Sequence, residues 1–169
     1  MMKTPLKKLA RNKKTVLLYL FLMILSYLLL ALFIFSDVPL QKWVVISVNV
    51  LFLCSFISFL SAWLKEPGYL KPDDTINFLS LLKIFKPDSL CPECEVIRIP
   101  RSRHCNICNR CVGRFDHHCP LINNCVGNRN HRWFFLYIMT TLLYAVFVIY
   151  ISVLVLLHLW TVSDVGKSL

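Results

Sequence analysis

Charge is scarce in this chain. Asp, Glu, Lys and Arg make up only 17% of its 169 residues, against about 25% in ordinary soluble domains. Acidic residues number just nine. Hydrophobic residues make up 57% and cluster instead of alternating, and mean hydropathy is +0.61. So little polar sequence excludes a water-soluble globule, a disordered tail and a small secreted disulfide knot. A cleavable leader is not expected either. The first apolar run exceeds the roughly 7–15 residues of a signal-peptide core, and no clear small-residue cleavage site follows it, so it reads as an anchor that stays. No internal repeat and no low-complexity linker is found.

What is present is three long apolar stretches. A spanning helix needs roughly 20 apolar residues. Residues 15–36 and 43–64 each run 22 residues without a charge, and 133–160 runs 28 residues uncharged apart from a protonatable His158. All four tryptophans (Trp43, Trp63, Trp133 and Trp160) stand at ends of the second and third stretches, as an interfacial aromatic belt would. The 19 basic residues against nine acidic give +10. Because these charges flank apolar runs, a membrane surface explains them better than nucleic acid. Six Lys or Arg lie in 1–14 and eleven in 65–132, but one each in 37–42 and 161–169. The positive-inside rule therefore expects a cytosolic basic N-terminus (1–14), a cytosolic segment 65–132 and a short lumenal tail (161–169).

Between the second and third stretches, Glu66-Pro67-Gly68 reads as a helix-ending turn. Asp74 or Thr75 is positioned to cap a helix reaching Lys86 before Pro87. Ile76, Leu79, Leu82 and Phe85 share one face of it, suited equally to the lipid interface or to packing on the neighbouring domain.

Seven of the eight cysteines crowd into Cys91–Cys125, interleaved with His104, His117 and His118, and His131 follows. Two residues between cysteines let both sulfurs reach one ion, and thiolate with imidazole is the donor set zinc prefers. In a cytosolic setting thiols bind metal or stay free instead of forming disulfides. Seven Cys and four His are eleven candidates between residues 91 and 131. Two closed four-ligand sites use eight of them and leave three. Cys119 follows Asp116, His117 and His118 directly. It thus has a base and a carboxylate at hand, as an activated nucleophile requires. Spacing alone leaves open which histidine ligates metal, and leaves Cys119 the alternative of being a further ligand or a spare.

Asp116-His117-His118-Cys119 inside this frame, with Asn123-Asn124-Cys125-Val126-Gly127 and Asn130-His131 downstream, closely resembles the DHHC family of protein S-acyltransferases, the palmitoyltransferases. The likeness covers Cys91 to about Phe135. It implies an all-α integral membrane protein with three transmembrane helices and a cytosolic, irregular cysteine-rich domain (65–132, core 89–132) held by two zinc ions. One zinc would be bound by Cys91, Cys94, His104 and Cys111, the other by Cys105, Cys108, His118 and Cys125. Cys119 would accept a palmitoyl group from acyl-CoA, the co-substrate, with His117 as general base and Asp116 orienting it. Cysteines of membrane-associated proteins would then receive the acyl group. The implied partners are membrane lipids, fatty acyl-CoA and those protein substrates, with no nucleic acid. The implied location is an endomembrane (ER or Golgi) or the plasma membrane. Arg98, Arg101 and Arg103 are candidates for the CoA phosphates, with ordinary positive-inside charge as the alternative. Phe134, Tyr137, Thr141, Tyr144 and Val148 form a helical stripe. Of these, Phe134, Tyr137 and Tyr144 are the candidates for the acyl chain, and plain packing is the alternative.

The pattern departs from the family at Glu66, usually Asp, at Leu121, often Trp, and at Ile99, often Pro. Family members usually have at least four spans and a Thr-Thr-x-Glu segment, which this chain does not carry. As a whole protein it is therefore also expected to fit a truncated, catalytically weak zinc-binding module acting on substrates or partners. A RING-like ubiquitin ligase would close with a C-x2-C pair, whereas Cys119 and Cys125 lie six positions apart. Cys54 reads as a packing residue, and His158 is assigned no role.

Overall fold

The computed structural model describes residues 13–34, 40–73, 75 and 77–167, without the side chains of 33–34 and 164–167. Most of the basic N-terminus, the loop after the first span, Asp74, Ile76 and the last two residues thus lie outside the described part. The order is α1 (Lys13–Ile34), α2 (Lys42–Leu64), α3 (Phe78–Ile84), a 3-10 turn (Pro87–Ser89), six short strands and α4 (His131–Lys167). Among the described residues, three helices are long and apolar enough to cross a membrane: Lys13–Leu32, Lys42–Leu64 and His131–Ser163. Inside the protein, 17%, 28% and 17% of their respective apolar windows are buried. Most of their hydrocarbon surface therefore needs lipid around it, and the chain is a membrane protein.

The chain forms two units. The helical one, within its described part, comprises residues 17–34, 40–59 and 135–167. Leu30, Val44, Val48, Tyr144, Ile151 and Val155 make its core. Apolar packing gives little net drive between helices already in lipid, so polar contacts add specificity. Tyr27 donates to Asn49 Oδ1 (2.5 Å), Tyr137 to the Tyr19 hydroxyl (2.6 Å), and Ser55 meets Thr141 at 2.6 Å.

The other unit holds the cysteines and, within its described part, runs from residue 60 to Phe134 together with residues 13–16. It is not irregular, as expected, but consists of three two-stranded antiparallel hairpins. β1 (Leu90–Cys91) pairs with β2 (Val96–Ile97), β3 (Arg103–Cys105) with β4 (Arg110–Val112), and β5 (His117–Cys119) with β6 (Asn124–Val126). The helix before them is shorter than expected. It is capped by Asn77, whose Oδ1 accepts from Leu79 N at 3.1 Å, and not by Asp74 or Thr75.

Two buried asparagines attach the hairpins to the end of α2. A helix leaves its last carbonyls without partners. Asn124 Nδ2 donates to the carbonyls of Ala62 (3.3 Å), Trp63 (3.1 Å) and Lys65 (2.9 Å). Asn130 Nδ2 reaches Ala62 O (3.3 Å) and Cys125 O (2.8 Å), while its Oδ1 accepts from Gly127 N. Both residues are fully buried. Asn124→Ala removes the side-chain donor to the part-buried carbonyls of Trp63 and Lys65, Ala62 O keeping Asn130, and is expected to destabilise this unit by about 1–3 kcal/mol, measurable as a lower melting temperature in detergent.

Gly127 sits where these segments cross. A Cβ there would lie 2.5 Å from Val112 Cγ1 and 2.6 Å from Pro67 O. Pro67 O also accepts from Arg129 N, and Gly68 O from Gly113 N. Gly127→Ala must force these strands apart. The expected result is a protein that no longer holds metal in full stoichiometry, checked by elemental analysis.

Candidate metal and thiol site

The hairpin registers expose a repeat that reading the sequence missed. Cys91, Cys105 and Cys119 recur every 14 residues, at equivalent positions of β1, β3 and β5. Each hairpin turns through a residue of positive φ at the same offset: Glu95 (53°), Asn109 (50°) and Asn123 (43°). Asparagine tolerates this left-handed region better than most residues. The constant spacing was the available signal, obscured because the intervening side chains differ.

The repeat explains how ligands are shared. Each of the first two hairpins offers a C-x2-C pair at its turn, and the following hairpin supplies a histidine and a cysteine. Cys91 and Cys94 thus meet His104 and Cys111, and Cys105 and Cys108 meet His118 and Cys125. In the first group, His104 Nδ1 lies 3.6, 3.2 and 3.8 Å from the sulfurs of Cys91, Cys94 and Cys111. In the second, His118 Nδ1 lies 3.8, 3.4 and 3.6 Å from those of Cys105, Cys108 and Cys125. A tetrahedral zinc with bonds of about 2.3 Å to sulfur and 2.0–2.1 Å to nitrogen has S···N edges of about 3.6 Å. Both tetrads fit that ion, and all of these cysteines are free of disulfides.

Crowding of the sulfurs shows in their protons. Cys125 Sγ donates to Cys108 Sγ at 3.3 Å. That bond holds the Cys108 thiol down at about 5 and drives Cys125 strongly up. Burial, then the neighbouring Cys91, pushes Cys111 up. Such thiols all ionise together only around a cation. Glu93 Oε2 stands 2.7 Å from His104 Nε2, though out of line for a hydrogen bond.

The third hairpin breaks the pattern. Where a second knuckle cysteine would stand there is Ile122, fully buried, and no fourth hairpin follows. Cys119 keeps the first-ligand position without a set to complete. Among the described residues, neither converging ligand group includes it, and its thiol is half-buried and free. Strand alternation then separates the two histidines. His118 faces the second tetrad, so His117 and Cys119, one residue to either side, share the opposite face of β5.

Around that face, Asp116 lies between two imidazoles. Its Oδ1 is 3.6 Å from His117 Nδ1, and its Oδ2 is 3.6 Å from His131 Nε2. Both are ion-pair distances, longer than a hydrogen bond. The His117 ring meets Phe134 edge-on, centroids 5.2 Å apart. Sequence reasoning gave His131 no part. Its signals were its place in the Asn130-His131 pair that matches the family pattern and its being left over once ligands are counted.

The other candidates are divided. Arg98 and Arg103 line a cleft with Glu93 and Asn106 beside the first tetrad. Arg101 is not in that lining, and its carbonyl accepts from Phe115 N. In the helical unit, Tyr137 and Tyr144 are buried. Tyr137 packs by ring contact on Tyr19 and Phe59, and Tyr144 on Phe52.

Three apolar helices with cysteine–histidine hairpins whose two converging ligand groups could each hold a metal ion, and one thiol outside both, define a class of membrane proteins with a candidate metal-binding domain. The family model for DHHC palmitoyltransferase matches residues 84–168, half of the chain, and the chain belongs to that family. It is 33% identical over 133 residues to palmitoyltransferase ZDHHC4 of Mus musculus, covering 76% of this chain and 37% of that protein. To palmitoyltransferase Hip14 of Drosophila melanogaster it is 32% identical over 105 residues, 58% of this chain and 16% of that one. To palmitoyltransferase SWF1 of Neurospora crassa it is 40% identical over 98 residues, 55% and 23%. The chain thus spans well under half the length of these relatives.

Proposed function

We propose that this chain is a protein S-acyltransferase that carries a palmitoyl group on Cys119. The observation that supports this most directly is the exemption of Cys119 from both tetrads while it shares a strand face with His117. His117 takes the Cys119 proton. The thiolate sulfur then forms a bond to the carbonyl carbon of acyl-CoA, the bond from that carbon to the CoA sulfur breaks, and the proton passes to the departing CoA thiolate. In the second step, the thiol of a membrane-associated protein gives its proton to His117 and attacks the acyl-Cys119 carbonyl, the bond from that carbon to the Cys119 sulfur breaks, and the proton returns to the Cys119 thiolate. Asp116 opposes the charge that develops on His117. Cys91, Cys94, His104 and Cys111 would hold one zinc, and Cys105, Cys108, His118 and Cys125 the other. Those ions would supply structural cross-links between hairpins and no chemistry in the transfer.

The domain would face the cytosol, at an endomembrane or plasma membrane, where the positive-inside count puts it. Arg98, Arg101 and Arg103 would meet the CoA phosphates, Arg98 and Arg103 being the two that share a cleft. Phe134, Tyr137 and Tyr144 would lie along the acyl chain.

The deciding experiment incubates the purified chain in nanodiscs with labelled palmitoyl-CoA. A hydroxylamine-labile adduct on Cys119 supports the reading. No adduct, with two zinc ions still bound per chain, overturns it in favour of a catalytically weak module that binds substrates or partners.

A further inference from the structure

Helix α3 has no buried residue. Leu79, Leu82 and Ile84 are 56%, 51% and 75% exposed, and Phe85 follows them in the open. Seven residues are far too few for a helix to hold in water by itself, which takes about 12–15 even in favourable sequences. An ordered helix this short needs an apolar surface against it; the protein half-buries Phe78 and Leu81, but leaves Leu79, Leu82, Ile84 and Phe85 exposed. The chain's own connections show what covers these four. Leu70 N donates to Cys111 O, Gly113 N to Gly68 O and Arg129 N to Pro67 O. The segment leaving the second span at Leu64 is therefore bonded to residues 129 and 111–113, two residues short of the third span at His131. Only residues 71–77 separate this knot from α3, a reach of at most about 25 Å at ~3.6 Å per residue. Between Asn77 and Pro87 the charged residues are Lys83 and Lys86, with no acid. That pattern matches an anionic leaflet, with long aliphatic stems to reach its headgroups.

We infer that α3 lies in the membrane–water interface as an amphipathic foot, with Leu79, Leu82, Ile84 and Phe85 in the acyl boundary and the two lysines among anionic headgroups. This contact holds the cysteine hairpins at the bilayer surface through a third attachment, additional to the two spans that flank them. It does not depend on the chemistry assigned to Cys119.

The test places a photoreactive benzoyl-phenylalanine at residue 82, 84 or 88, one site per protein, in the full chain. The protein is reconstituted in phosphatidylcholine–phosphatidylserine nanodiscs, and adducts are read by mass spectrometry after irradiation. Lipid adducts at 82 and 84, several-fold above those at exposed Asp88, are expected, and they should fall when phosphatidylserine is omitted or when Lys83→Glu and Lys86→Glu are combined. Cross-links to a second copy or another protein, or equal labelling at all three positions, overturn the inference. Zinc content, measured on the same samples, separates a displaced foot from an unfolded domain.

Discussion

Cys119→Ser is expected to lose the hydroxylamine-labile acyl adduct completely while its metal content stays that of the native chain. The hydroxyl is a far weaker nucleophile than a thiolate near neutral pH. Any oxygen ester that did form would resist the hydroxylamine treatment that cleaves a thioester. Because Cys119 is outside both ligand groups, exchanging its sulfur for oxygen removes no bond to metal. The paired readouts matter. If the serine variant lost metal, Cys119 would be a ligand after all. If it kept full loading, the acceptor would be another thiol, Cys54 being the remaining one outside the tetrads.

Adjacent histidines should give opposite results. His118→Ala removes the nitrogen that lies 3.4–3.8 Å from three sulfurs of the second tetrad. That tetrad joins the second hairpin to the third, so its loss frees β5 and with it Cys119. Structural zinc in small domains contributes on the order of 10 kcal/mol, far more than three short hairpins can replace. We expect one zinc per chain in place of two and no acyl loading. His117→Ala should keep both ions and slow loading by roughly 10²–10⁴, the usual worth of a positioned general base. Native mass spectrometry and single-turnover loading read both variants, and a reversed metal pattern would exchange the two histidines' roles.

The long spans were readable because a bilayer selects on length and apolarity, properties that survive without any knowledge of neighbours. The presence of two four-ligand sites was readable for a related reason, since few donors satisfy zinc and their spacing is local, but which histidine belongs to them was implied only by the family resemblance. Two features escaped. The cysteine-rich insert offered no strand signal, because its strands are two or three residues long and are held by the turns and ligands between them instead of by alternating apolar side chains. The 14-residue repeat was hidden because its third copy keeps the backbone but exchanges Cys for Ile122.

From the sequence by itself came the membrane setting and the eleven candidate donors between residues 91 and 131, because each follows from residue type and short-range spacing, while the division into eight ligands and a free Cys119 came from the family resemblance. The tertiary structure decided which imidazole faces which way, that His131 approaches Asp116, and that Asn124 and Asn130 supply the hydrogen bonds α2 lacks at its end. These depend on strand pleat and on contacts between segments some 60 residues apart, relations that no local spacing encodes.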